Sequence, residues 1–267
     1  MSARRPAPYL HTPILFVLAA LLWLLPDVAA WLGHKPDEAY ARIQSSGVIR
    51  FATEASYPPF AGVGGDGVFY GLDIDVAREI ARRTGLKAEF VNVGIDGLYD
   101  VLRVGQVEAS ISALPIDPAR LGQWSYSRPY FDAGLVLIAH EGFGFQRAED
   151  LPRHTIAVVF GSDGDARLRY YQRRAEGIEA AYFGSAFDAL QAVDDGQADA
   201  TIVDGLTARQ LLAQFDGLRI ATQLTSEAYA VAVWGESVEL EAVIDRALAE
   251  MEADGTLDRI VDEWMRR

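Results

Sequence analysis

The sequence predicts an α/β protein of two lobes, each a mostly parallel sheet with helices on both faces. Three observations carry this. From Val48 onward, short β-branched or alternating runs alternate with helical stripes, the pattern of strands covered by crossover helices. A segment near residue 200 echoes one near residue 109 at a constant offset. The chain has 267 residues, which suits about two domains of roughly 150 residues. Its 50% hydrophobic and 23% charged residues are an ordinary globular mix.

Residues 1–30 read as an export signal. Arg4 and Arg5 make the positive end, Ile14 to Leu25 is an uncharged apolar run, Pro26 breaks it, and Val28-Ala29-Ala30 offers small residues for cleavage. The run falls short of the roughly 20 residues of a membrane span. A retained anchor is the alternative, because Trp31 and Leu32 extend the apolar stretch past Asp27. Either reading makes the rest of the protein periplasmic or extracellular.

The expected strands are Val48–Ala52, Ala88–Val93, Ala109–Leu114, Leu135–His140, Thr155–Phe160, Ala200–Asp204 and Tyr229–Trp234. Between the first two, Val76, Ala77, Ile80 and Ala81 form a helical stripe over Asp73–Thr84. Asp73 or Asp75 is expected to cap it, and Gly85 to end it after Arg82 and Arg83. Leu98–Val104 and Ala186–Asp194 are further helices, and Gly62–Gly67 is a hairpin loop. At the C-terminus, Val238–Ala253 and Thr256–Trp264 carry apolar stripes broken by Asp254-Gly255.

The echo pairs Val104-Gly105-Gln106-Val107-Glu108-Ala109-Ser110-Ile111 with Asp195-Gly196-Gln197-Ala198-Asp199-Ala200-Thr201-Ile202. Each copy follows a helix, turns at Gly-Gln and enters a strand. The same offset makes Ala113 and Asp204 equivalent, near the carboxyl ends of two strands, where ligands of open α/β sheets bind.

A net charge of −14 with no basic tract excludes nucleic acid as a natural partner. The absence of cysteine excludes disulfides, thiol catalysis and a lipidated N-terminal cysteine. His11, His34, His140 and His154 stand at no metal-ligand spacing, so neither a metal nor a cofactor is expected. Gly161-Ser162-Asp163-Gly164 reads as a strand-to-helix turn with free N–H groups, and no P-loop lysine follows it. Arg120, Asp204 and Glu54 are polar groups at expected strand ends, and Glu54 precedes Tyr57-Pro58-Pro59-Phe60. A cation, two anions and an aromatic face suit a zwitterion carrying an amine and a carboxylate.

Over about residues 44–265 the sequence resembles the extracellular solute-binding proteins of family 3, which serve polar amino-acid uptake. The resemblance rests on Gly71-Leu72-Asp73-Ile74-Asp75-Val76 with Ile80-Ala81, on Ile95-Asp96-Gly97-Leu98, Gly105-Gln106-Val107-Glu108-Ala109, Tyr126-Ser127-Arg128-Pro129-Tyr130 and Asp254-Gly255-Thr256, in family order. It implies a two-lobe periplasmic-binding-protein-like fold (type II) with two crossing strands as hinge. Residues 44–135 plus 227–267 would form lobe 1 and 136–226 lobe 2, with Leu135–His140 and Tyr229–Trp234 at or near the crossings. It also implies a monomeric, non-enzymatic receptor that hands an amino acid or cationic amine to the permease subunits of an ABC importer.

The resemblance carries roles onto single residues. Arg120 matches the arginine that binds the ligand carboxylate, and Asp204 the aspartate that binds the ammonium. Tyr57 matches a stacking aromatic and Ile95 a bulky residue of the same subsite. Glu54 matches a position that can be acidic for basic ligands, while Ser112 and Ser162 lie in loops that bond the amino-acid backbone. Pro115 departs from the family's serine or threonine and offers neither N–H nor hydroxyl. Asp163 stands where threonine is common, and either faces the ligand or caps its own helix. Phe160 is larger and less polar than the family's residue there. With Glu54, Asp163 and Asp204 against Arg120, a basic or cationic ligand is expected. Two alternatives are a cyclohexadienyl dehydratase-like enzyme on the same fold and a membrane-tethered ligand sensor.

Overall fold

The first strand forms where Ile49, Phe51 and Ala52 are buried, and it becomes the centre around which the N-terminal half assembles. The computed structural model describes residues 37–265; the expected export signal lies outside them. From Glu38 on they make one compact unit. In the first part, helix α1 (Glu38–Ser46) leads into β1 (Val48–Thr53), followed by a small meander of β2 (Ser56–Tyr57), β3 (Ala61–Val63) and β4 (Phe69–Tyr70). Gly64 and Gly67 make the turn between β3 and β4, as the glycine-rich run predicts. Then come α2 (Leu72–Arg83), β5 (Lys87–Asn92), α3 (Leu98–Arg103), β6 (Ala109–Ser110), β7 (Trp124–Tyr126) and β8 (Phe131–Asp132).

The second part runs β9 (Leu135–His140), β10 (Thr155–Val159), α4 (Asp163–Gln172), β11 (Glu179–Phe183), α5 (Ala186–Asp194), β12 (Ala200–Asp204), α6 (Gly205–Leu212) and β13 (Leu218–Gln223). The chain then returns through β14 (Ala228–Tyr229) and β15 (Ala232–Trp234) to α7 (Val238–Ala253) and α8 (Thr256–Met265).

Two five-stranded sheets result, in the orders β5-β1-β6-β15-β7 and β11-β10-β12-β9-β13. They are mixed, not mostly parallel. In the first, β1 pairs in parallel with β5 and β6, while β15 is antiparallel to β6 and β7. In the second, β10 pairs in parallel with β11 and β12, while β9 is antiparallel to β12 and β13. The parallel strands follow helical crossovers; β15 and β9 arrive directly from the other sheet and need no such connection. The echo recurs in the register: Ala109 stands opposite Phe51, and Ala200 opposite Ile156.

Each sheet is covered on both faces. Phe51, Ile111 and Val233 pack with Leu72, Ile80, Ile244 and Leu248 on one face of the first, and Ala52 and Ala232 pack with Leu98, Leu102 and Trp124 on the other. In the second sheet, Val136 and Ile138 of β9 face Leu190 and Val193, while Leu137 and Ala139 face Leu151 and Leu168. Those alternate positions of one strand point to opposite faces.

Several expected elements differ. The strand expected over Ala109–Leu114 stops at Ser110, because Ala113 takes φ 44° and turns the chain. Tyr229–Trp234 divides into β14 and β15. Strands β7, β11 and β13 are additional; β11 and β13 are edge strands, half exposed and without a clean alternation. Helix α2 has Gly71 at its N-cap, and neither Asp73 nor Asp75 caps it. Asp75 instead accepts from Trp264 Nε1 at 2.8 Å and pairs with Arg78.

The chain passes between the sheets within 127–134 and 224–231, where β8 and β14 pair antiparallel. Asp132 clasps this passage. Its Oδ1 accepts from the N–H groups of Gly134 (2.8 Å) and Glu227 (2.9 Å), and Ser226 Oγ donates to Oδ2 at 2.7 Å. Burial pushes its carboxyl up, but these hydrogen bonds together hold it below the usual carboxylate range. Among the described residues no helix is long and apolar enough to cross a membrane.

Candidate functional site

The carboxyl ends of β1, β6, β10 and β12 carry most of the expected site residues, as open α/β sheets require. Glu54 follows β1. Its N–H donates to Ser112 Oγ at 3.0 Å, and its carboxylate accepts from Ser56 Oγ at 3.1 Å. Tyr57 is 49% exposed, with its ring stacked on Phe60 at 5.6 Å. Phe60 meets Phe131 and Tyr229 of the passage edge-on, at 5.3 and 5.5 Å.

Ser112 is buried, and the next residue, Ala113, turns its N–H onto Asp73 Oδ2 at 2.8 Å. Tyr130 Oη donates to Asp73 Oδ1 at 2.7 Å. Asp73 has no exposed surface, and burial pushes its carboxyl up to about 7 although both hydrogen bonds pull it down. The sequence offers Asp73 or Asp75 as the cap of α2 and gives no sign of this inward role. The loop continues to Pro115, which forms a bridge with Tyr229; Leu114 O accepts from Ala230 N–H and Ile116 N–H donates to Ala228 O, each at 3.0 Å.

Arg120 ends a 3₁₀ turn over Pro118–Arg120 that Asp117 caps through Ala119 N–H at 2.9 Å. The same aspartate pairs with Arg120 Nε at 3.0 Å, and the guanidinium lies 4.5 Å from the Tyr99 ring centre. Arg120 lines a cavity of about 620 Å³ with Ile95, Asp96, Leu114 and Pro115.

In the other sheet, Ser162 caps α4, its Oγ accepting from Asp165 N–H at 3.2 Å. Asp163 therefore does not cap its own helix; it is the first helical residue and is exposed. Asp204 caps α6 through Thr207 N–H at 2.8 Å. A pocket of about 370 Å³ is lined by Ser162, Asp163, Asp204 and Thr207, and the two aspartates are the charged members of its lining. A larger space of about 670 Å³ beside it extends from the same aspartates to Thr225, Ser226 and Glu227, and also meets Arg167 and Arg173. The two carboxylates sit where helix dipoles favour negative charge.

The structure thus gathers Ser162, Asp163 and Asp204 at one cavity and Ile95 with Arg120 at another. Glu54 and Ser112 are joined by their own hydrogen bond, and Arg120 is not a lining residue of the cavity that holds Asp204. Asp165, which sequence reasoning passed over, is 1% exposed. It accepts from Gly161 N–H at 2.9 Å and from Arg169 at 2.8 and 2.6 Å, fixing the turn before α4. The spacing of Asp165 and Arg169 on one helix face is the signal that could have found it. His140 Nε2 lies 3.0 Å from Val193 O, and His154 Nδ1 lies 3.3 Å from Asp199. No group of three or more metal-ligating residues is assembled among the described residues.

This fold and this arrangement of strand ends define a two-sheet solute-binding architecture. Residues 49–267 match the family model for bacterial extracellular solute-binding proteins, family 3, and the chain belongs to that family. It is 28% identical over 222 residues to ABC transporter arginine-binding protein 1 of Escherichia coli K12, covering 81% of this chain and 90% of that protein. A mutant of ArgBP from T. maritima is 34% identical, with a TM-score of 0.51, covering 86% of this chain and 100% of the other. An ancestral cyclohexadienyl dehydratase shares the fold, with a TM-score of 0.72 at 23% identity, covering 87% and 98%.

Proposed function

We propose that this protein is an extracytoplasmic, non-enzymatic receptor that binds a cationic amine or basic amino acid and presents it to the membrane subunits of an ABC importer. Residues 44–135 with 227–267 and residues 136–226 act as two lobes that close over the solute, turning about the Asp132 passage. Relatives that are arginine-binding proteins, one of them an ABC transporter component, support the solute class and the partner. One observation carries the charge preference. Asp163 and Asp204 are the charged lining of the pocket at the α4 and α6 ends, whereas Arg120 is engaged by Asp117 and Pro115 offers no donor beside it. Glu54, Tyr57 and Ile95 receive the solute from the opposite lobe, with Ser112 and Ser162 bonding its polar backbone. A site built to pair charges rejects solutes that leave them unpaired.

Thermal unfolding against arginine, lysine, spermidine, cystine, dicarboxylates and prephenate tests this. A solute at 100 times its Kd stabilises by about 2.7 kcal/mol, which raises Tm by roughly 5–11 °C for a chain of this size. The expected shift comes from a cationic member and is abolished by Asp204→Asn. A shift from spermidine and none from arginine means that Asp117 has withdrawn Arg120 from carboxylate binding. Shifts confined to dicarboxylates or to prephenate overturn the cationic reading, and turnover of prephenate would establish the enzymatic one.

A further inference from the structure

The Asp73 carboxylate lies between two parts of the molecule that the sequence keeps far apart. Oδ2 receives the N–H of Ala113, a residue with positive φ that stands between Ser112 and Pro115 in the loop. Oδ1 receives the hydroxyl of Tyr130, which is itself buried and immediately precedes β8. Tyr130 N–H in turn donates to Tyr229 O on β14 at 2.9 Å, and Leu114 O and Ile116 N–H bond residues 230 and 228. The loop after β6 and the passage between the sheets therefore share one buried anchor. A carboxylate without exposed surface is costly to keep unless its bonds matter to the fold or to the site.

We propose that Asp73 is a positioning residue for solute binding: it sets the conformation of loop 112–115 against the β8 strand of the hinge, so that solute contact and lobe closure are coupled through it. This rests on the reading that the loop faces the solute. The titratable groups that face Asp73 are Tyr130, on the segment leading into β8, and Tyr229 on β14. The Ala113 amide is thus a local reporter of the charge on Asp73.

The test compares wild type, Asp73→Asn and Tyr130→Phe by amide hydrogen exchange and by the pH dependence of the Ala113 amide resonance. It also measures affinity for arginine, lysine and spermidine. In Asp73→Asn, exchange at Ser112–Leu114 is expected to rise about tenfold, as for one lost charge-assisted bond, with β5 and α3 unchanged. The Ala113 resonance is expected to move with pH near neutrality in wild type and to stay flat in Asp73→Asn. Whichever probe binds wild type loses about tenfold in affinity. Tyr130→Phe keeps the carboxylate and gives the same local pattern at about threefold, and it carries the test if Asp73→Asn does not fold. Unchanged exchange at 112–114, or a rise spread evenly over the first sheet, overturns the proposal. If no probe binds wild type, the receptor reading fails for these solutes, and the exchange and resonance measurements still decide the role of Asp73.

Discussion

The two sheets repeat one module and then diverge at the residue that matters. Gly105 and Gly196 both turn with positive φ after a helix, and Glu108 and Asp199 both place a carboxylate oxygen on the parallel neighbour of the strand they precede, at Arg50 N–H (3.0 Å) and Thr155 N–H (2.8 Å). β6 and β12 then enter at matching register. Three residues further on, the copies part. Asp204 continues its strand and spends its own carboxylate on the N-terminus of α6, leaving it at a pocket wall. Ala113, at the equivalent place, leaves its strand and offers a backbone N–H to the distant Asp73. A strand end can therefore present an acid directly, or present a loop that a buried acid holds from behind. The first leaves a carboxylate at a cavity wall; the second fixes the shape of a loop.

The largest expected effect sets the two cores against each other. Phe51→Ala should cost about 4 kcal/mol and its counterpart Ile156→Ala about 3 kcal/mol in urea unfolding, because the larger ring leaves the larger cavity. The opposite ranking would break the equivalence of the modules.

Next in size is a pH dependence. The carboxyl of Asp73 titrates at about 7 in the folded protein, above its ordinary 3.8. The native state thus holds this proton more tightly than the unfolded chain. The contribution is full below about pH 4 and is lost as pH rises to about 7, a change of a few kcal/mol. Asp73→Asn should flatten that slope. Asp132, held low, acts in the opposite sense: its contribution is present at neutral pH and is lost as pH falls below the usual carboxylate range. Unfolding series from pH 3 to 8 on wild type and Asp73→Asn separate the two.

The paired carboxylates of the echo should differ in weight. Glu108 has a side chain 2% exposed and bonds both Arg50 and Arg42, whereas Asp199 is 36% exposed beside His154. Glu108→Gln is expected to destabilise by about 2 kcal/mol, and Asp199→Asn by less than about 1 kcal/mol, both read from denaturant midpoints. Equal costs would mean that burial does not distinguish the copies.

The smallest effects concern the pocket caps. Ser162→Ala and Asp204→Ala should each cost about 1 kcal/mol as lost N-caps. Only the second should also remove the Tm shift given by a cationic solute. If both remove it equally, Asp204 contributes no charge recognition beyond its capping.

Much of the architecture was legible along the chain, because periodicity and turn chemistry are local. Leu135–His140, Ala186–Asp194, Ala200–Asp204 and Val238–Ala253 have the boundaries that their patterns predict. The constant offset of the echo points to a repeated strand register before any pairing is seen. The mixed sheets were not legible, since strand direction depends on which sheet a strand enters from. The edge strands β11 and β13 lack alternation for the same reason that they lie half exposed.

The sequence by itself determined the two α/β modules, their helix stripes, the family signature and the acidic balance of the candidate site. Only the tertiary structure decided which carboxylates face a cavity and which are occupied within the protein. Asp117, three residues from Arg120, pairs with its Nε. Asp73 reaches Ala113 and Tyr130, 40 and 57 residues away, and is buried by doing so. Composition counts charges, but whether a charge is free to meet a solute depends on burial and on partners that folding brings from elsewhere in the chain.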